Sequence, residues 1–349
     1  MMNIKKFIPN YTPYWLLAIG YWLPASNPTL AQDIHFSQFY MSPLTLNPAL
    51  AGDKDISATT DYRNQWNTIS SPFRTIAAGV DMKLLKDKFQ NASFGVGFNA
   101  SNDMEGVGSL STTQVDLSIA GHVKITEHQI LSAGIQAGFG QRSVNFSAFS
   151  WGKQYDGYQY NASLPTGEPT GTPSFYYPDL SAGVLYQYKK SEEYVKGDGD
   201  FESTFGFSVS HVNQPLISFY SVAGSNAGDF LYLKYTLHGN MLIEINGTPL
   251  SILPGFVFYS QGPAQELQAG SLISYRLQQD SKYTSYVKGA SIALGAYYRL
   301  GDAFVIASLL EFSNYAIGLS YDVNASGLTI ATQGLGGFEV SLRYMKSGR

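Results

Sequence analysis

Between Tyr315 and Val323 the large residues Tyr315, Ile317, Leu319, Tyr321 and Val323 alternate with Ala316, Gly318, Ser320 and Asp322. Phe338, Val340, Leu342 and Tyr344 alternate in the same way with Glu339, Ser341 and Arg343. A pleated strand imposes this period of two, because successive side chains point to opposite faces. The pattern recurs upstream. Phe94, Val96 and Phe98 alternate with glycines and Asn99; Val115, Leu117 and Ile119 with Asp116, Ser118 and Ala120; Leu131, Ile135 and Phe139 with Ser132, Gln136 and Gly140. The longest window, Leu231 to Ile245, puts Leu233, Tyr235, Leu237, Met241 and Ile243 on one face and Lys234, Thr236, His238, Asn240 and Glu244 on the other. Such polar groups are expensive in lipid and ordinary in a wet lumen, where His238 and Glu244 read as a polar pair.

Further windows open near Ile56, Thr75, Leu180, Ser203, Leu250, Ala264, Ser291 and Ala303. Together they predict about fourteen strands, an even number as single-chain bacterial barrels require. After residue 31 no segment reaches the roughly 18 consecutive apolar residues of a membrane helix, whereas a barrel strand needs only about 9 to 11. The expected fold is an all-β, transmembrane outer-membrane β-barrel of antiparallel strands with a short irregular N-terminal segment. Composition points the same way: 14% of the 349 residues are charged, and 35 glycines, 25 tyrosines and 21 phenylalanines are present. A soluble chain would carry about a quarter charged residues. With no cysteine, disulfides and thiolate metal sites are excluded.

Lys5 and Lys6 precede an apolar run from Tyr14 to Leu23, and Thr29-Leu30-Ala31 offers a small-residue cleavage site. The run is far shorter than the roughly 20 residues of a spanning helix, so residues 1–31 read as a cleaved secretory signal. Removing them leaves 20 basic and 26 acidic residues, a formal charge of −6. That balance gives no basic face for nucleic acid. The remainder divides into an N-terminal plug or periplasmic docking segment over 32–54 and a barrel over 55–349.

Connection lengths set an expected orientation. Asn246-Gly247-Thr248-Pro249 and Ser313-Asn314 are tight, as periplasmic turns are, whereas residues 141–178 form a long insertion that falls on the outer side. Its Trp151, Tyr155, Tyr158, Tyr160, Phe175, Tyr176 and Tyr177 are candidates for a binding loop or for a lid folded over the mouth, since aromatics supply contact area at low entropic cost. Before the first strand, Pro43 and Pro48 disfavour both a strand and a long helix. Phe36, Phe39, Tyr40, Leu44, Leu46, Asn47 and Pro48 are therefore the candidate plug or docking residues, in a segment expected inside or beneath the barrel. Closing first strand to last brings Asp61 and Arg63 near Glu339 and Arg343, a candidate charge-paired seam.

The order Phe36-Ser37-Gln38-Phe39-Tyr40, Pro43-Leu44-Thr45-Leu46-Asn47-Pro48-Ala49-Leu50-Ala51-Gly52 and Tyr62-Arg63-Asn64-Gln65-Trp66 resembles the N-terminal signature of the PorP/SprF family of type IX secretion system membrane proteins. Tyr321-Asp322-Val323-Asn324 and Gly336-Gly337-Phe338-Glu339 are similar to that family's ending. The resemblance brackets the mature chain and leaves its middle unanchored. It implies an outer-membrane protein that helps export or retain surface proteins in gliding and related bacteria. Its implied partners are an exported surface protein or adhesin bearing a type IX C-terminal domain, and other periplasmic or outer-membrane components of the secretion system. The alternatives are a passive channel for small or hydrophobic solutes and a purely structural barrel.

An enzyme is not expected. His35, His122, His128, His211 and His238 are scattered, without metal-ligand spacing or a Gly-x-Ser-x-Gly elbow, and the glycine-rich run Gly134 to Gly140 lacks the Lys-Ser/Thr of a phosphate loop. No catalytic, cofactor-binding or metal-ligating set is assigned.

Overall fold

A computed structural model describes residues 33–66, 73–85, 88–168, 172–190, 200–219, 229–278, 289–327 and 334–346. The expected signal over 1–31 lies outside the described residues. Seven strands open the sequence: β1 (Ile56–Gln65), β2 (Phe73–Leu84), β3 (Ala92–Glu105), β4 (Leu110–Thr126), β5 (Gln129–Ser143), β6 (Ser174–Lys190) and β7 (Phe201–Ser210). A small hairpin follows, β8 (Leu216–Ile217) with β9 (Asp229–Phe230). The wall then continues with β10 (Lys234–Glu244), β11 (Leu250–Gln261), β12 (Ala264–Gln278), β13 (Ala290–Arg299), β14 (Ala303–Phe312), β15 (Tyr315–Asn324) and β16 (Leu335–Lys346).

Each wall strand pairs antiparallel with its neighbours, and β16 returns to β1, so fourteen strands close a barrel without a free edge. Closure satisfies the backbone groups that hydrocarbon would leave unpaired. The alternation has the physical cause expected of it. In β15, Tyr315, Ile317, Leu319, Tyr321 and Val323 are exposed, while Ala316, Ser320 and Asp322 are buried. Similar exposed apolar residues ring the outside on β3 to β6 and on β10 to β14. A continuous belt of this kind is stable only against lipid.

Three details differ from the sequence reading. The window from Leu231 begins as a strand only at Lys234; the Leu231 N–H bonds to Pro215 O at 2.9 Å, which ties that stretch to the preceding loop. The long insertion spans 144–173 rather than 141–178, because β5 and β6 pair out to Ser143 and Ser174. Finally, His238 and Glu244 do not form a pair: Glu244 bonds to Arg276 of β12, and the His238 ring meets Asn47.

The wall has two ends. Ile56 and Lys346 share one, the terminal end, with the tight connections at 245–249 and 313–314. The other, the loop end, carries 144–173 and the β8–β9 hairpin. Short turns at 262–263 and 300–302 lie there too, and the strand count holds through them.

Candidate functional site

Residues 33–54 run through the lumen. The segment starts at the loop end, where the Asp33 N–H donates to Gln261 Oε1 at 3.0 Å, and descends to the terminal end, where Gly52 N–H donates to Asp81 Oδ2 at 2.9 Å before β1 begins. Its prolines do what the sequence suggested. Pro43 opens a single helical turn, α1 (Pro43–Leu46), and Pro48 opens a 3-10 turn over Pro48–Leu50, leaving irregular backbone elsewhere. Phe36, Phe39, Leu44, Leu46, Asn47 and Pro48 are buried and Tyr40 is half-buried.

Irregular backbone inside a barrel needs external hydrogen-bond partners. The wall supplies them from side chains. Both carboxylate oxygens of Glu339 accept from consecutive amides, Ser37 N–H and Gln38 N–H, at 2.8 Å each. Gln268 Nε2 donates to Ser37 O at 2.7 Å, Lys234 Nζ to Ile34 O at 3.2 Å, and Arg343 Nη1 to Tyr40 O at 2.9 Å. Arg63 donates to His35 O, and the Ser42 hydroxyl donates to Asp61. The Ser37 hydroxyl donates to Asp322 at 2.8 Å and accepts from Arg299 Nη2 at 2.7 Å. Arg299 Nη1 and Arg63 Nη2 each reach Asp322 Oδ2 at 3.1 Å, and Arg299 Nε stands 3.4 Å from Glu266 Oε1, so two carboxylates face the two buried guanidiniums.

The candidate seam residues also bond to the lumenal segment. Register places Arg63 opposite Glu339 and Thr59 opposite Arg343 across β1 and β16. The hydrogen bonds of Asp61, Glu339 and Arg343 run into the lumenal segment, and Arg63 divides its donors between that segment and Asp322. The side chains that flank the closing register thus also hold the segment. Arg299, Asp322, Gln268 and His238 were missed as contact residues; their only sequence signal is a polar group on the small-residue face of a strand.

Midway down, Asn47 works in two directions. Its Oδ1 accepts from Ala49 N–H at 2.9 Å and caps the 3-10 turn, while Nδ2 donates to Val184 O at 3.0 Å and lies 3.2 Å from His238 Nε2. Gly183 makes this approach possible, since a Cβ there would sit 2.1 Å from Asn47 Oδ1. The opposite wall is apolar. Phe39, Met41 and Leu46 pack on Val257, Leu272, Tyr297, Val305 and Leu309 of β11 to β14, and Phe39 meets the Tyr297 ring edge-on with centroids 5.7 Å apart.

The loop-end entry is ionic. Asp33 bonds to His211, whose Nδ1 lies 2.8 Å from Asp179 Oδ1, and Lys234 Nζ stands 3.9 Å from Asp33. Burial alone would lower the His211 pKa, but the Asp33 and Asp179 carboxylates outweigh it and hold it up at about 9. Burial likewise opposes ionisation of Asp33, yet His211 and Lys234 hold that carboxyl well below its usual range. His35 is pushed well below the usual histidine range, first by burial and then by Arg63, Arg299 and Lys234, so it meets Glu266 at 3.3 Å as a neutral ring.

The candidate loop residues separate into two groups. Trp151, Tyr155, Tyr158 and Tyr160 belong to the 144–173 connection, where Tyr158 is 94% exposed. Phe175, Tyr176 and Tyr177 are strand residues of β6. Tyr177 faces inward and is buried against Gly140, which removes it from any outer contact surface, while Phe175 packs against Phe219 with ring centroids 4.9 Å apart. Tyr176, on the outward face, is exposed. Among the described residues no His, Asp or Glu group is arranged to hold a metal ion.

Several solved structures are similar to this chain at low identity. The TodX deltaS2S3 mutant monoaromatic hydrocarbon channel aligns with 10% identity and a TM-score of 0.47, covering 88% of this chain and 94% of that one. The CymD monoaromatic hydrocarbon channel gives 10% identity and a TM-score of 0.43, over 88% and 93% of the two chains. CdiB from Acinetobacter baumannii gives 6% identity and a TM-score of 0.41 over 83% of this chain, which spans 60% of CdiB. No curated protein matches the sequence. The family description "Type IX secretion system membrane protein PorP/SprF" matches residues 29–344. With the N-terminal part of its signature folded inside a closed outer-membrane barrel, the chain belongs to the PorP/SprF family of type IX secretion system membrane proteins.

Proposed function

We propose that this barrel is a partner through which a large exported surface protein or adhesin is secreted or retained, its type IX C-terminal domain docking at the loop end. The loop end faces the outside and the terminal end the periplasm, in keeping with the long 144–173 connection at one end and tight turns at 245–249 and 313–314 at the other. The observation that carries this reading is the filled lumen. Residues 33–54 occupy the barrel interior and are bonded to strands on several sides of it, so the segment acts as a plug and the useful surface is the exterior. Tyr155, Tyr158 and Tyr160 then supply exposed aromatic contact area for a protein partner.

The test is surface display. Removing 152–163 from the loop abolishes display of the cognate cargo while the barrel keeps its heat-modifiable mobility. Unchanged display would count against loop docking. A steady open conductance of the intact protein in planar bilayers would instead favour a solute channel.

A further inference from the structure

Between the plug and the terminal end lies a cavity of about 310 Å³ that the cargo reading does not use. It sits at the lower end of the roughly 300–1,000 Å³ typical of small-ligand pockets. Leu50 of the plug and Met241, Leu253, Leu272 and Leu309 of the wall make one side apolar, an unusual lining for a barrel lumen. Lys54, Ser57, Glu202 and Met345 lie at strand ends around it and place its mouth at the terminal end.

The polar groups of the cavity are unevenly satisfied. Asp53 meets Lys54 Nζ at 3.0 Å and Gln187 Nε2 at 2.9 Å, Asp81 accepts from Gly52 N–H, Glu202 pairs with Lys189, and Glu311 accepts from Ser291 at 3.0 Å. Arg343 is the exception. Its carboxylate neighbour Glu311 stands 4.0 Å away, and its Nε has no hydrogen-bond partner among the described residues. Tyr40 lines the same cavity, and its buried hydroxyl is also without one. A buried guanidinium N–H and a buried hydroxyl left unpaired are costly, and a ligand oxygen repays that cost.

We propose that this cavity binds a single-chain amphiphile with an anionic head, its chain along Leu253, Leu272 and Leu309 and its head on Arg343 and Tyr40. A guanidinium recognises a carboxylate or a phosphate equally well in geometry, so a free fatty acid and a monoacyl phospholipid share the required chemistry. The site is reached from the periplasm and is independent of the cargo surface.

The experiment uses the full mature chain in nanodiscs, with decanoate, decanoyl lysophosphatidate and decanol as probes and native mass spectrometry as readout. Expected is a one-to-one adduct with an anionic probe at least tenfold more abundant than with decanol. A preference for the phosphate or for the carboxylate identifies the source, and either upholds the site. Leu253→Trp, which fills the cavity without touching the plug's hydrogen bonds, is expected to abolish the adduct while heat-modifiable mobility persists. Arg343→Met is expected to remove the preference over decanol. No one-to-one adduct, equal uptake of decanol, or unchanged binding by a folded Leu253→Trp protein would each overturn the proposal.

Discussion

Glu339 accepts the backbone N–H of Ser37 at 2.8 Å across a separation of 302 residues, joining the end of the barrel to the start of the lumenal segment. The second carboxylate oxygen takes Gln38 N–H at the same distance, so one side chain caps two amides that no strand could pair. Glu339→Gln replaces one acceptor by a donor that faces an N–H. Hydrogen bonds to a charged group contribute about 1.5–3 kcal/mol each. A lower thermal midpoint in heat-modifiability, with new protease cleavage inside 33–54, is expected; an unchanged midpoint would show the cap to be dispensable.

Gly95 tests how tightly the lower part of the segment fits. A Cβ there would meet Ala51 O at 1.9 Å, whereas at Gly121 it would find nothing nearer than Phe94 at 3.9 Å. Gly95→Ala should therefore destabilise the barrel by about 1–3 kcal/mol through overpacking, and Gly121→Ala should not. Thermal midpoints of the two variants measured side by side decide the matter.

Asn47→Ala removes both the turn cap and the donor to Val184 O. Because the site is buried, a loss of about 1–3 kcal/mol is expected, larger than for an exposed cap. The readout is the urea midpoint of the reconstituted protein, and an effect no larger than that of an exposed asparagine would contradict the arrangement.

His211 makes the loop-end latch sensitive to alkali. Its folded pKa, about 9, lies above the value near 6.5 of an unconstrained histidine. A group raised in this way stabilises fully below the unfolded value and loses its contribution as pH rises through 9; the shift corresponds to at most roughly 3 kcal/mol. The charged groups around it are Asp33, Asp179, Asp116 and, beyond Asp33, Lys234. Protease cleavage within the first residues of the segment should increase between pH 7.5 and pH 10, and His211→Gln should abolish that dependence. Cleavage independent of pH in the native protein would refute the latch.

Leu319 faces lipid on β15, between the inward-facing Gly318 and Ser320. Leu319→Lys should cost about 2–4 kcal/mol near the bilayer midplane and lower the yield of heat-modifiable barrel. Full yield would place this face elsewhere than against lipid.

Much of this was legible in the chain itself. Lipid outside and a polar lumen inside impose a period of two, so Tyr315 to Val323 and Phe338 to Tyr344 declared the wall, its faces and, repeated, its strand count. The same physics made Pro43 and Pro48 exclude a strand before Ile56. What it left open was the destination of each lumenal polar group. Asp61, Arg63, Glu339 and Arg343 come together at the seam because closure brings β1 to β16, but alternation says only that they point inward. That they hold the plug depends on a segment folded across the lumen, and contacts such as Arg299 with Ser37, 262 residues apart, have no local signal. Local sterics and solvent preference act within a few residues and are written into the sequence pattern; the direction of the plug, its ionic latch and the cavity beneath it exist only once the barrel has closed around them.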